Sequence, residues 1–577
     1  MSISSVIKSI QDIMRQDAGV DGDAQRLSQL SWLLFLKVFD AQEKALEEEL
    51  DFEDKEYIAP IPTDYLWRNW AGDAQGNIGD AQGKTGDELL NFVNDGIFGE
   101  LKDFMAPRDT NPRGFVVKQG LSDAYNYMKN GTLLRQVINK LNEIDFNKSS
   151  ERHLFGDIYE QLLRDLQSAG NAGEFYTPRA VTSFIVNRVD PKLGEKIMDP
   201  ACGTGGFLTC SFEHVKNNYV ESTTDHQMLQ KQIFGFEKKQ LPHLLCTTNM
   251  MLHGIEVPVQ IRHDNTLNKH ISSWDNDVDV IISNPPFGGT EEQGIEKNFP
   301  SELQTRETAD LFLQLIVEIL KDKGRAAVVL PDGTLFGEGV KSKLKKMLTE
   351  ECNLHTIIRL PNGVFNPYTS IKTNLLFFTK GTPTKDIWFY EHPYPGGVKN
   401  YSKTKPMKFE EFQTEIDWWG NEEDGFASRV ENEHAWKVDF AGTRATAENN
   451  AQPHWDKATA LSDEIYHLEP ALKALKAELK AATDDTKAEL SKKVGELETK
   501  IDGLRRDANN SQQAGDSIFY AAFNLDIKNP HVGETISHDP NELLASYAGQ
   551  LQSIHELRDQ LKAVLSTALS NDTVKGK

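Results

Sequence analysis

Cysteine is scarce in this 577-residue chain: Cys202, Cys210, Cys246 and Cys352 are too few for a disulfide framework and lack the spacing of a thiolate metal site. Reduced, buried thiols and no bound metal are the expectation. No apolar run approaches the roughly 20 residues that cross a bilayer. The amphipathic start MSISSVIKSIQDIMRQDAG also lacks the apolar centre of a signal peptide. A cytoplasmic protein without a membrane partner is therefore expected. Positive charge is in short supply as well, with 63 Lys and Arg against 87 Asp and Glu and a formal net charge of -24. The chain as a whole repels nucleic acid, so any phosphate contact must come from a local basic patch or a separate basic subunit. The glycine-rich loop at Asp199 to Phe207 is neither a G-x-G-x-x-G fingerprint nor followed by the Lys-Ser/Thr pair of a phosphate loop.

The most informative stretch present is VDVIISNPPFGG, Val278 to Gly289. Val278, Val280, Ile281 and Ile282 read as a strand buried on both faces of a parallel sheet. Asn284, Pro285 and Pro286 stop it, because two prolines cannot continue a ladder and hold the preceding residue extended. The Asn284 amide and its neighbouring carbonyls are thus fixed at the carboxyl end of a strand, where open α/β sheets bind ligands. With Phe287 following on a turn loosened by Gly288 and Gly289, such a pocket suits a planar group bearing an NH2. A Pro-rich turn with a core Phe is the plainer alternative.

Before this stretch, residues 1 to 165 read as a helical domain. Trp32 to Phe39 form a dense apolar segment that Lys37, Asp40 and Glu43 extend at helical spacing. A Gly- and Asp-rich loop follows from Ala71 to Gly86, then helical patterns from Asp87 to Phe104, from Leu133 to Leu141 and from Phe155 to Leu166. Glu174, Phe175 and Tyr176 precede Thr177-Pro178, which reads as a helix start with Thr as cap and Pro in the first turn. These residues wall a pocket or simply staple the helix.

Next, Lys196 to Met198 lead as a short strand into DPACGTGGF, Asp199 to Phe207, and a helix follows. Strand, glycine turn and helix let backbone N–H groups approach a ligand closely. Asp199 at the strand end argues against a pyrophosphate. The strand from Gln232 to Phe236 ends in Glu237, placed to accept from ribose hydroxyls, and a third from Val257 to Arg262 delivers Asp264, able to accept from an adenine amino group. Three strand-end acids around a glycine turn describe a nucleoside carrying positive charge, which S-adenosyl-L-methionine is.

The order of these motifs, Glu174 to Arg179, then DPACGTGGF, then Glu237 and Asp264, then NPPF at Asn284 to Phe287, resembles the amino-methyltransferases whose cofactor region precedes the catalytic tetrapeptide. More narrowly, with Trp67 to Trp70 and Thr85 to Val93 ahead of it, it resembles the modification (methylation) subunit of type I restriction-modification systems. That resemblance implies a site-specific, adenine-specific (N6) DNA methyltransferase using S-adenosyl-L-methionine, associated with a specificity subunit and a restriction subunit. It implies catalysis at Asn284, Pro285, Pro286 and Phe287, with Asn284 and the Pro285 backbone accepting from the adenine 6-amino group and Phe287 stacking on a flipped-out base. It implies cofactor contacts from Glu174, Phe175, Tyr176, Thr177, Pro178, Arg179, Asp199, Gly203, Thr204, Gly205, Gly206, Glu237 and Asp264. The long interval between Asp199 and Glu237 departs from the pattern and indicates an insertion around Glu221 to Gln232. A cofactor-binding scaffold without catalysis, or an enzyme acting on RNA or on protein glutamine, stands as the alternative.

The expected fold class is α/β: a Rossmann-like methyltransferase domain over residues 166 to 455, with about seven strands in a mostly parallel sheet, flanked by helical N- and C-terminal domains. An amphipathic helix from Asp310 to Lys321 and strands at Gly324 to Gly333, His355 to Leu360 and Thr373 to Thr379 complete it, the last pairing antiparallel. Tyr390 to Trp455 reads as an irregular extension with nothing resembling a nuclease or helicase. From 456 to 577 the sequence is helical. Leu461, Ile465, Leu468, Leu472, Leu475 and Leu479 keep a 4-3 spacing that resumes from Leu490 to Leu504, as a stuttering helix or as a hairpin capped at Asp484. A final helix begins at Asp539-Pro540. These stripes pack on one another or on helices of another subunit.

Overall fold

Apolar, β-branched runs too short for helices build a mixed sheet of nine strands among the described residues. The computed structural model describes residues 3–79, 81–146, 159, 177–366, 369–396, 398, 400–402, 405–531, 547, 551–552 and 554–562. Glu174, Phe175 and Tyr176 and the helix expected from Phe155 lie outside them, apart from the buried Tyr159. The chain forms two compact units, Met1–Ile527 and Lys528–Lys577. In the second, 551–552 and 554–562 are helical.

The strands are β1 (Ile197–Asp199), β2 (Ile233–Glu237), β3 (Ile261–His263), β4 (Val278–Ser283), β5 (Leu320–Pro331), β6 (Cys352–Arg359), β7 (Thr373–Lys380), β8 (Asp386–Glu391) and β9 (Ala435–Asp439). Their order across the sheet is β9-β8-β6-β7-β5-β4-β1-β2-β3. The five strands from β5 to β3 run parallel, while β7 lies antiparallel between β5 and β6. The order reverses between β4 and β1, and such a switch point opens a crevice at the strands' carboxyl ends.

The nine strands exceed the expected seven by β8, which starts ahead of the segment read as irregular, and by β9 within it. Within Tyr390 to Trp455, β9 adds an antiparallel edge to β8, and the ring of Trp436 stacks on Phe389 with centroids 5.3 Å apart. The aromatic residues that broke the sequence pattern are there to pack the edge. The third strand also starts later than expected, at Ile261 instead of Val257, since Pro258 has no N–H to donate to a ladder.

Helices pack around the sheet and on one another: α1 (Asp23–Phe52), α2 (Arg179–Val189), α3 (Gly206–Tyr219), α4 (Thr223–Gln232), α5 (Gln240–His253), α6 (Thr308–Ile319), α7 (Val340–Glu351), α8 (Phe440–Ala481) and α9 (Asp484–Ala521). Trp32 to Leu36 are buried within α1, as the sequence implied. The helix expected from Asp87 is broken by one π turn, Phe92–Ile97. Lys321 is a strand residue, and α6 is buried nearly all round instead of amphipathic, because it lies beneath both the sheet and α7.

Helix α5 joins two cores. Leu244, Leu245, Met251 and Leu252 pack into the N-terminal helical cluster, while Cys246, Met250 and Ile255 just beyond it pack under the sheet. Gln240 at its start donates to the carbonyls of Gln119 and Gly120, and Gln42 of α1 donates to Met251 O at its end. The N-terminal helices are therefore fixed to the helix that directly follows the end of β2.

The C-terminal stripes form a hairpin, not a stutter. Lys476 pairs with Glu498, Lys500 with Glu464 and Arg505 with Glu469, an antiparallel lacing between α8 and α9. Thr483, not Asp484, occupies the position before α9. The expected boundary at residue 456 falls inside α8. Phe440 at its start and Phe519, Phe523 and Leu525 at the return of the chain are all buried in the same cluster as β5, β6 and β8, and Leu525 N donates to Leu335 O.

Candidate active site

At the carboxyl ends of β1 to β4 lies a cavity of about 260 Å³. The glycine turn forms its floor. Gly203 and Gly205 both take positive φ, 53° and 83°, which L side chains rarely adopt. At Gly205 an added Cβ would also stand 2.7 Å from Cys246 Sγ. Gly205 precedes α3, so the cavity receives the amino end of that helix.

Glu237 shapes the turn. Its Oε2 accepts from Gly203 N at 3.0 Å and its Oε1 from Lys239 N at 2.7 Å, so one carboxylate ties the end of β2 to the glycine turn after β1. Burial pushes its carboxyl above the usual range, and these backbone donors pull it back. The inserted residues that left Glu237 in question are helix α4, opened by a Ser222/Asp225 capping box and running straight into β2. The register places Asp199 opposite Gly235, so both acids reach one edge. Asp264 is the outermost of the three: it is exposed, and its Oδ1 accepts from Asn265 N.

Asp199 is deeply buried and accepts on Oδ1 from Ser283 Oγ at 2.7 Å and from Ala201 N at 3.0 Å. Burial, with a smaller push from Glu237, raises it to about 7 against the pull of Ser283. Across the cavity, Asn284 Nδ2 donates to Thr177 Oγ1 at 2.9 Å. Its Oδ1 is buried with no hydrogen-bond partner among the described residues. A buried amide oxygen without a partner costs roughly 1–3 kcal/mol, a cost repaid by a donor that arrives with a ligand.

Thr177, Asp199, Gly203, Gly206, Glu237, Asp264, Asn284 and Pro286 thus line one cavity. The other expected site residues within the described chain do not line it. Pro178 takes the position before α2, so Thr177 does not cap that helix and its hydroxyl serves Asn284 instead. Arg179 points along α3, pairing with Glu213 at 2.6 Å. Thr204 and Pro285 are buried, and Gly205 lies against Cys246. Phe287 stands beside the cavity with its ring edge-on to Phe365, centroids 6.0 Å apart.

Sequence reading missed Ser283, Lys238, Glu291 and Thr308. Glu291 is buried, accepting from Thr308 Oγ1 at 3.2 Å and from Lys238 Nζ at 3.1 Å, so it connects the loop after the tetrapeptide to the end of β2. Thr308 N donates to Gly289 O, holding that loop against the start of α6. No local pattern signals these residues, which meet only through the sheet.

The family described as N-6 DNA methylase matches residues 150–460, and the HsdM N-terminal domain matches residues 3–141. The chain belongs to the N-6 DNA methylase family. The methylase is 66% identical over 572 residues, 99% of each chain, to the type I restriction enzyme EcoEI methylase subunit of Escherichia coli. A crystal structure of a modification subunit assigned to a type I restriction enzyme of Vibrio vulnificus YJ016 superposes with a TM-score of 0.66 at 42% identity, covering 76% of this chain and 92% of that one. A chain from a type I restriction-modification system, solved to explain complex assembly and conformational transition, gives 0.68 at 31% identity over 98% of both. The methylase is thus an adenine-N6 methyltransferase of the type I restriction-modification kind, and the readings as an RNA- or glutamine-modifying enzyme fall away.

Proposed function

We propose that this methylase takes its methyl group from S-adenosyl-L-methionine bound along the ends of β1 to β3 and delivers it to an adenine that has left a DNA duplex and faces Asn284. The observation that carries this reading is the orphaned Asn284 Oδ1, held by Thr177 in the same cavity as the glycine turn and the strand-end acids. The residues present fit the cofactor. Asp199 offers negative charge to a cationic ligand, Glu237 keeps lone pairs for ribose hydroxyls beyond its two backbone donors, and Asp264 at the outer end suits an adenine amino group. Bound there, the cofactor supplies an electrophilic methyl on sulfur. Asn284 Oδ1 and the Pro285 carbonyl accept from the target amino group, which fixes its lone pair on the donor side. Phe287, beside the cavity, supplies an aromatic face for the base. A flipped base is required because the amino group is unreachable inside a stacked duplex.

Within this reading the chain divides its labour as a helical N-terminal domain over residues 1 to 165, a catalytic domain over 166 to 455 into whose core Phe519, Phe523 and Leu525 return, and a C-terminal region over 456 to 577 whose hairpin meets a specificity subunit, with a restriction subunit joining the assembly. The net charge of -24 supports a partner that brings the phosphate and base contacts. The test is a gel shift with a duplex of about 30 base pairs at two salt concentrations, alone and with the co-expressed specificity subunit, paired with methyl incorporation read at adenine N6. Weak, non-selective binding by the isolated chain and selective methylation by the complex are expected. Tight, sequence-selective binding by this chain alone would remove the need for a partner.

A further inference from the structure

Ser283 is fully buried at the end of β4, directly before Asn284, and has no role in the sequence reading of the Val278 to Gly289 stretch. Its hydroxyl meets Asp199 Oδ1 at 2.7 Å, and the same oxygen accepts from Ala201 N at 3.0 Å. One carboxylate oxygen therefore ties together the end of β1, the glycine turn and the strand that carries the reactive amide. The other oxygen, Oδ2, takes no hydrogen bond from the described residues, while Asp199 lines the cavity.

We propose that Ser283 is a positioning residue for cofactor binding: its hydroxyl fixes the Asp199 carboxylate so that Oδ2 faces the cationic part of the cofactor and stays ionised to meet it. The inference rests on S-adenosyl-L-methionine being the cofactor. The groups that face Asp199 leave Ser283 a decisive part. From β2 comes Glu237, of like charge, and from the glycine turn the thiol of Cys202. Farther along the cavity, Lys238 is committed to Glu291, Lys239 follows it, and Asp264 adds another negative charge from β3. No Lys or Arg among the described residues forms an ion pair with Asp199, so the Ser283 hydroxyl and the Ala201 N–H are what offset its burial.

The consequence is specific. Without the hydroxyl, Asp199 holds its proton to higher pH, and a neutral carboxyl does not pair with a cation. A hydroxyl that merely packed the strand end would weaken binding equally at every pH. A hydroxyl that keeps Asp199 ionised loses its importance once the pH is high enough to ionise the carboxyl unaided.

The experiment is calorimetric titration of the full chain with S-adenosyl-L-methionine between about pH 6 and pH 9, on the parent, Ser283→Ala and Asp199→Asn. Parent affinity is expected to fall as pH drops through about 7. Ser283→Ala should bind about five-fold more weakly at pH 7, with the gap closing by about pH 9. Asp199→Asn can keep both hydrogen bonds on its oxygen and should bind weakly with no pH slope over this range. A Ser283→Ala gap that stays constant with pH, or no gap, overturns the inference and leaves the cofactor reading intact. Absence of binding by the parent at every pH would remove the cofactor reading itself. Should Ser283→Ala fail to fold, a pH slope retained by Asp199→Asn overturns the inference alone.

Discussion

The side-chain amide nitrogen of Asn284 donates to the Thr177 hydroxyl across 2.9 Å, so a residue 107 positions earlier in the chain holds the amide at the end of β4. With the nitrogen committed there, the oxygen is the half of the amide left for a substrate donor. Thr177→Val removes the acceptor and frees the amide to turn. The expected outcome is a fall of about tenfold in kcat, near 1.4 kcal/mol, with a smaller change in the KM for cofactor, and recovery in Thr177→Ser. Steady-state kinetics decide it, and an unchanged kcat would show that Thr177 does not orient the amide.

Asn284→Ala removes the acceptor itself and Phe287→Ala removes the aromatic face. Both should lower methyl transfer by about two decades or more while leaving cofactor affinity within about threefold, because neither side chain is on the β1 to β3 side of the cavity. Calorimetry on Phe287→Ala is the sharper check. Complete loss of cofactor binding would place Phe287 against the donor instead of the base.

Glu237→Ala leaves the Gly203 and Lys239 N–H groups without their acceptor, in addition to losing the proposed ribose contact. A cost of roughly 1.5–3 kcal/mol, or one to two decades in cofactor affinity, is expected. Glu237→Gln should recover little, since its amide nitrogen must face one of those two N–H groups. Parent-like affinity in either variant would mean that the ribose is held elsewhere.

Asp199 titrates near 7 in the folded chain because it is buried, against an ordinary carboxyl value of 3.8. The folded state therefore binds this proton more tightly than the unfolded chain, so the group costs stability above about pH 7, and that cost is relieved as pH falls from 7 towards 4. Asp199→Asn should raise the melting temperature of the cofactor-free protein at pH 8, by an amount on the order of 2 kcal/mol in stability, while weakening cofactor binding. Thermal melts at pH 8 and pH 6 test this: a gain that does not shrink at the lower pH would contradict a charged, buried Asp199.

The C-terminal hairpin is anchored in the catalytic core at both ends, which dictates how it can be removed. Cutting at residue 456 deletes Phe519, Phe523 and Leu525 from the core, each worth about 2–5 kcal/mol, and should yield an unfolded or aggregated product. Excising residues 466 to 503 and closing the gap with a short linker leaves those side chains in place. That variant is expected to melt within a few degrees of the parent and to bind cofactor normally, but to lose partner binding and DNA methylation. Retained methylation of a specific site would place the partner contact elsewhere.

Much of the site was readable because its parts are local. Pro285 and Pro286 break a strand's ladder, the glycines between Cys202 and Phe207 allow a tight turn that other residues resist, and an apolar run followed by an acid reads as a strand end. The two strands at one side of the sheet were not readable, because in β8 and β9 Trp388 and Trp436 take the place of a clean alternating pattern. Thr177 before Pro178 looked like a helix cap for the same reason, that local chemistry alone was in view. Sequence by itself determined the order of the motifs, the class of fold and the kind of chemistry, since each depends on short-range stereochemistry. Tertiary structure alone decided that Thr177 meets Asn284, that Ser283 meets Asp199 and that Phe519 returns to the core. Those contacts join residues far apart in the chain, and only the strand order of the sheet brings them together.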